Sequence, residues 1–170
     1  MKPSAISLTE RLILAQQSRI LAAVDPQQRE DHTFVAEVFE NGFTAFYEDA
    51  FTVITPEFGK QDSDYVREIM GIYFEIQYSY DNKLTEEERK DVGSVTFLGF
   101  DGNDTQEIYR ARFARFCMKH GQFESLKCMG SDLNSHMPVW QKYAGMIRRY
   151  EEMGSPRELT ADQIKNVMGR

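Results

Sequence analysis

The sequence predicts an all-α protein, a compact multi-helix domain of about seven helices. Capping boxes, each marking the start of a helix, recur along the chain at Ser7 with Glu10, Thr85 with Glu88, and Thr160 with Gln163. Between them, apolar residues recur three or four positions apart, which is the spacing of one helix face. An alternation typical of a strand is found only weakly, over residues 95–100. We therefore expect a single helical domain over residues 1–170.

The first helix is predicted to run from the Ser7 cap to about Val24, because Asp25 and Pro26 stop it there. Its apolar residues fall on three sides of the helix: Leu8, Leu12, Ala15 and Ala22; Ile13, Ile20 and Val24; and Leu14 and Leu21. Such a helix is covered either by its own chain or by a second copy. Both alternatives stay open. We expect a homo-oligomer, with Leu14 and Leu21 as its candidate contact.

Six further helices are predicted from caps, apolar spacing and stop signals. The second helix covers about 28–41 and ends before Gly42, and the third runs from a cap at Asp62 or Ser63 to about Tyr80. The fourth is a short helix after Thr85, and the fifth covers about 105–120. The sixth begins at Pro138, and the seventh follows Thr160. Two of them carry predicted buried stripes: Tyr65, Ile69, Ile72, Tyr73, Ile76 and Tyr80 in the third helix, and Trp140, Tyr143, Ile147 and Tyr150 in the sixth.

The stretch SVTFLGFDGND, which begins at Ser94, is the exception to this helical pattern. It is too short for a helix of its own and has residues of β type, while Gly99 and Gly102 give it a flexible backbone. We predict an extended loop around 94–102 that packs into the core through its apolar side chains: Val95, Phe97, Leu98 and Phe100.

Composition excludes several classes of function. A net charge of −7 disfavours DNA, RNA and anionic membranes, which bind to cationic surfaces. No segment is apolar for long enough to span a bilayer or to serve as a signal peptide, and the two cysteines do not make a disulfide framework. The sequence therefore predicts a cytoplasmic protein that binds neither membrane nor nucleic acid.

Several stretches together carry a family resemblance: TERLILAQQ, VTFLGFDGND followed by RFARF, MPVWQKYAGMI, and LTADQIKNVM. They resemble the YfbU family of uncharacterised bacterial and archaeal proteins, over roughly Leu8 to Met168. The resemblance implies an all-helical cytoplasmic domain that self-associates, with no established catalytic residues to carry over. Occasional family members join the domain to a helix-turn-helix region, which suggests a ligand-binding or regulatory module.

Two sets of residues could carry chemistry. Cys117, His120, Cys128 and His136 have the ligand types of a zinc site, but their wide spacing favours a buried thiol and a hydrogen-bonded histidine. Arg115 and His120 resemble the arginine and histidine of HEPN-type ribonucleases, in which the histidine moves a proton and the arginine stabilises phosphate charge. Five residues apart on a regular helix, however, these two side chains diverge.

Two surface features have non-catalytic explanations as well as functional ones. Arg112, Arg115 and Lys119 align on one helix face and could contact phosphate, although in an acidic chain such a stripe more often pairs with carboxylates. Aromatic residues cluster between Phe34 and Phe58. They could form part of the core, a subunit interface or a small apolar pocket. The sequence therefore predicts a non-enzymatic interaction or small-ligand-sensing module, without catalytic residues, cofactor or metal. A metal-independent ribonuclease is the alternative.

Overall fold

The computed structural model describes residues 6–52 and 54–170, and in these two ranges it contains eight α-helices and no β-strand. The prediction of an all-α fold is confirmed. The helices are α1 (Leu8–Val24), α2 (Arg29–Asn41), α3 (Tyr47–Ala50), α4 (Lys60–Asn82), α5 (Glu86–Val92), α6 (Glu107–Lys119), α7 (Trp140–Glu152) and α8 (Ala161–Met168). The sequence did not indicate α3, which is a single turn preceded by a 3₁₀ turn at Thr44–Phe46.

The chain divides into two compact units, one ending at Glu57 and the other covering Phe58–Arg170. The first unit contains α1, α2 and α3, and the second contains α4 to α8. Each unit has a buried apolar cluster of its own. A single domain over the whole chain stays a prediction.

In the first unit, α1 and α2 form a helical hairpin whose contact is made by small residues of α1. Ala15, Ser18 and Ala22 are the buried residues of α1, and their short side chains let the two helices approach closely. The core of this unit is small and consists of Ala15, Val38, Phe39 and Tyr47.

Two arginines of α1 fix the end of α2. The Arg11 guanidinium donates to the carbonyl oxygens of Phe39 (2.9 and 3.0 Å) and Glu40 (3.1 Å), which the helix itself leaves without partners. Arg19 binds the Glu40 carboxylate with two hydrogen bonds of 2.7 and 2.9 Å. As predicted, Gly42 ends α2 in the left-handed conformation, at a φ of 68°.

The second unit is built around α4, which buries Ile69, Ile72, Tyr73 and Ile76 along the predicted face. Its predicted start was wrong, because α4 begins at Lys60 after Gly59, two or three residues before the proposed caps. Asp62 does not cap the helix. Its carboxylate accepts a 2.7 Å hydrogen bond from the buried Arg110 of α6.

The predicted start of α7 and part of its stripe were also wrong. The helix begins at Trp140, and Pro138 lies outside it. Tyr143 is fully buried as predicted, whereas Trp140 is 40% exposed and the unpredicted Met146 is fully buried. Trp140 keeps one face covered, because the Arg110 guanidinium lies 3.9 Å from the centre of its ring.

The segment 94–102 packs into the core, as predicted, with Val95, Phe97 and Phe100 buried and Leu98 partly buried. Its partner was not predicted. The segment lies parallel to residues 127–135, through isolated bridges at Phe97 with Cys128 and Phe100 with Asn134. Four backbone hydrogen bonds of 2.9 to 3.0 Å join the two segments: Phe97 N–H to Lys127, Met129 N–H to Phe97, Phe100 N–H to Leu133, and Ser135 N–H to Phe100.

Two buried polar side chains add hydrogen bonds to this segment. Gln77 of α4 donates to the carbonyls of Val95 (3.0 Å) and Lys127 (2.9 Å) and accepts from the Lys127 N–H (2.7 Å). Glu107 of α6 accepts from the Asp101 N–H (2.8 Å) and, through its other oxygen, from the N–H groups of Val139 and Trp140 at the start of α7. Gln77 and Glu107 therefore connect the extended segment to three helices.

Four aromatic rings pack around the middle of the segment, with Tyr73 and Tyr143 against Phe97 and Phe100 at centroid distances of 5.1 to 6.0 Å. The Tyr143 hydroxyl donates to the Gly99 carbonyl at 2.7 Å. Burial among these rings raises the pKa of Tyr73 to about 12, because an apolar surrounding disfavours the charged phenolate.

The substitution Gly99→Ala tests the docking of the segment. Gly99 has a φ of 81°, and a Cβ there would lie 2.1 Å from the Leu133 carbonyl oxygen. We expect a loss of about 2–4 kcal/mol in the free energy of unfolding, measured by urea denaturation. In the matched control Gly71→Ala, the new methyl group meets no atom within 4 Å beyond its chain neighbours and the backbone of its own helical turns, and the free energy of unfolding should rise by about 0.5–1 kcal/mol. Equal effects of the two substitutions would contradict this packing.

Candidate functional site

An open cleft of about 570 Å³ lies beside the C-terminal half of α6. We call it the α6 cleft, and it is lined by Arg115, Met118, Lys119, Leu126, Cys128, Gly130, Ser131 and Leu133. Its volume is in the range of small-molecule sites. All of its lining residues belong to the second unit.

The wall of the α6 cleft opposite the helix is the segment that pairs with residues 94–102. Leu126 and Leu133 are buried and form the apolar part of the wall. Leu133 has a φ of 52°, and its carbonyl accepts the Phe100 N–H. The wall is therefore held by the backbone of the buried segment.

The two cations of the α6 cleft stand one helical turn apart on α6. The Arg115 guanidinium donates to the Asp132 carbonyl, which ties the helix to the opposite wall. The Lys119 side chain is exposed, and no ion pair joins it to any residue within 6–52 or 54–170. Of the basic stripe predicted from the sequence, Arg112 is outside the lining and lies over the Tyr109 ring.

The four proposed zinc ligands have different surroundings in the structure. Cys117 is buried, Cys128 lines the α6 cleft, His120 ends α6 with its ring 4.4 Å from that of Phe116, and His136 is exposed at a φ of 53°. Nowhere in the described ranges do three or more His, Cys, Asp or Glu side chains gather into a group that could hold a metal ion.

Arg115 and His120 have different neighbours. Arg115 binds the Asp132 carbonyl, whereas His120 packs on Phe116. Among the hydrogen bonds of the described residues, none joins the two side chains. The ribonuclease alternative stays a prediction that this geometry does not strengthen.

A second candidate surface is on α1, where Ile13, Ile20 and Val24 are 47, 62 and 69% exposed. Of the two residues proposed as an oligomer contact, Leu21 is exposed, but Leu14 packs against the core of its own unit. Leu14 is therefore a poor residue with which to probe a contact between chains.

Sequence reasoning placed Arg115 and Lys119 on one helix face and singled out Cys128, but it missed the α6 cleft that contains all three. Met118 follows the helical spacing of α6, so a helical wheel could have placed it beside Arg115. Residues 126–133 carry no periodic signal, because their position depends on pairing with residues about thirty positions earlier.

Both thiols are predicted to react slowly. Burial raises the pKa of Cys128 and of Cys117, so less of each thiol is the reactive thiolate at neutral pH. Alkylation with iodoacetamide, followed by mass spectrometry, should be slower at either cysteine than at a free thiol such as glutathione. Cys128, which lines the α6 cleft, should react before the buried Cys117. A rate for Cys128 above that of glutathione at pH 7 would contradict this environment.

No helix in the described ranges is both long enough and apolar enough to cross a membrane. The family model described as the YfbU domain matches residues 5–169, which includes both compact units, the α1 surface and the α6 cleft. The resemblance carried by the sequence motifs is thereby confirmed over nearly the whole chain, and this protein belongs to the YfbU family.

Proposed function

We propose that the protein is a non-enzymatic module that self-associates through one face of α1. The observation that carries the proposal is a row of residues that we call the α1 stripe: Ile13, Gln17, Ile20 and Val24. All four are exposed, and they lie on the side of the helix opposite the Ala15, Ser18 and Ala22 contact with α2.

The spacing of the α1 stripe supports a helix as its partner. Its steps of four, three and four residues are those of a coiled-coil seam, in which side chains of one helix insert between those of the next. Two copies of α1 related by a twofold axis perpendicular to the helix would run antiparallel. If that axis passes through the middle of the α1 stripe, Ile13 of one copy contacts Val24 of the other, and Gln17 contacts Ile20.

Charge also favours a second copy of the chain over a charged partner. A chain of net charge −7 repels its own copies over most of its surface. The α1 stripe has no charged member, and two charged residues of the same helix are already bound: Glu10 to the Ser7 cap and Arg19 to Glu40. A second copy can therefore cover the stripe without burying a charged side chain of the stripe itself.

The small core of the first unit supports the same proposal. A unit of fewer than about 60 residues is marginally stable on its own. This one has a core of Ala15, Val38, Phe39 and Tyr47, and it leaves Phe34, Phe43 and Phe46 exposed in addition to the α1 stripe. Burial of the stripe would add the apolar area that its own core does not supply.

Sedimentation velocity over a range of concentrations, with the substitution Ile20→Glu, tests the proposal. We expect the unmodified protein to be a dimer. Each dimer buries two Ile20 side chains, so the substitution should cost at least about 3 kcal/mol, or roughly a hundredfold in the dissociation constant. Because Ile20 is 62% exposed within one chain, the variant should keep its helical circular dichroism.

Leu8→Glu is the matched control. Leu8 is also on α1 and is 77% exposed, but it lies outside the α1 stripe, so this variant should remain a dimer. A monomeric unmodified protein at every concentration would contradict the proposal. A dimer that both substitutions leave intact would place the contact elsewhere.

A further inference from the structure

We propose that the α6 cleft binds a small amphipathic anion, a molecule with an apolar chain or ring that ends in a carboxylate or phosphate. This inference concerns only residues 115–133 and does not depend on self-association through α1. Nothing in the family assignment names a ligand or a site.

The lining of the α6 cleft separates into an apolar part and a cationic part. Met118, Leu126 and Leu133 supply apolar side chains that exclude water from one end of a ligand. Arg115 and Lys119, both of α6, supply positive charge at the same cleft. A ligand that satisfies both parts has an apolar body and a negatively charged head.

The environment of the Cys128 thiol indicates that the α6 cleft binds a ligand and does not form a covalent bond with it. Burial raises the pKa of Cys128, and its Sγ donates a hydrogen bond to the Leu126 carbonyl at 3.4 Å. The thiol therefore contributes neutral, polarizable surface, and it does not set a negative charge opposite the ligand.

One carboxylate, that of Asp132, lies on the loop beside the α6 cleft. It accepts the Asn134 N–H at 3.3 Å, and the backbone carbonyl of the same residue holds Arg115. Asp132 thus fixes the direction of the guanidinium without forming an ion pair with it. The Lys119 ammonium group can pair with an anionic ligand, because none of the ion pairs among the described residues includes it.

The size of the α6 cleft fits a small molecule better than a macromolecule. About 570 Å³ falls within the 300–1,000 Å³ of small-molecule sites. A nucleic acid would need a longer row of cationic side chains. The other two arginines of α6 do not extend the row, because Arg110 is buried in an ion pair with Asp62 and Arg112 does not line the α6 cleft.

Titration of the ¹⁵N-labelled protein, followed by amide NMR shifts, tests the proposal with three probes of equal alkyl chain length: nonanoate, octyl phosphate and octyltrimethylammonium. Each is kept below its micelle concentration. We expect the two anions to give saturable shifts at Met118, Lys119, Cys128 and Ser131, and the cation to give none there. Comparison of nonanoate with octyl phosphate, which have the same alkyl chain, shows which head group binds more tightly.

Charge reversal at Lys119 separates specific from general binding. Lys119→Glu should weaken binding of the anions about fivefold to tenfold, because it replaces an attractive contact by a repulsive one, and Lys119→Gln should have a smaller effect. The matched control Arg112→Glu makes the same change of charge on the same helix outside the lining, and it should change the dissociation constant less than about twofold. The spectrum of each variant reports whether it is folded.

Three results would overturn the proposal: equal binding of the cation and the anions, anion shifts that occur only on α1 or other exposed apolar residues, or no saturable shift with any probe. An equal loss of affinity in Lys119→Glu and Arg112→Glu would also overturn it, since that would indicate attraction to the charge of the whole helix.

Discussion

The second unit depends on one constraint, which is that an extended backbone buried without a sheet must find a partner for each of its polar groups. Residues 94–102 enter a helical core with Phe97 and Phe100 almost completely buried, so their N–H and C=O groups have no access to water. Residues 127–135 supply partners for these groups in two short parallel bridges, and the side chains of Gln77, Glu107 and Tyr143 supply further partners beyond them. An unpaired group at this depth would cost about 1–3 kcal/mol, which is a large fraction of the stability of a domain.

The same constraint forms the α6 cleft. Leu126 and Leu133 stand opposite α6 because the segment that carries them pairs with Phe97 and Phe100. Glu107 accepts hydrogen bonds from both Asp101 and the start of α7, so the helix that carries Arg115 and Lys119 is fixed to the same backbone. The cationic and apolar sides of the α6 cleft are therefore positioned by one hydrogen-bonded framework, which a ligand would not need to organise.

Most local signals were read correctly from the sequence, apart from the starts of α4 and α7, whereas signals that depend on distant residues were not. The three capping boxes are present as predicted, because each involves residues three positions apart. The buried face of α4 follows from helical spacing alone. The partner of residues 94–102 could not be predicted, since residues 127–135 have no periodicity. Gln77 and Glu107 read as ordinary polar helix residues, and only the tertiary structure shows that each is buried.

The α1 surface illustrates the same limit. Spacing shows that α1 is apolar on several sides, but it cannot tell which side faces α2. The structure shows that the small residues Ala15, Ser18 and Ala22 face α2 and that the larger Ile20 and Val24 do not. Small residues allow close approach of two helices, and a helical wheel that weights only hydrophobicity overlooks them.

Native-state hydrogen exchange of the amides of Phe97, Phe100, Met129 and Ser135 tests the central claim most directly, because these four N–H groups join the two segments. If the pairing is part of the core, all four should exchange only through global unfolding, with the same free energy as amides in the middle of α4. Exchange of these four at a much lower free energy, while α4 remains protected, would contradict the account, since the segment would then be a surface loop.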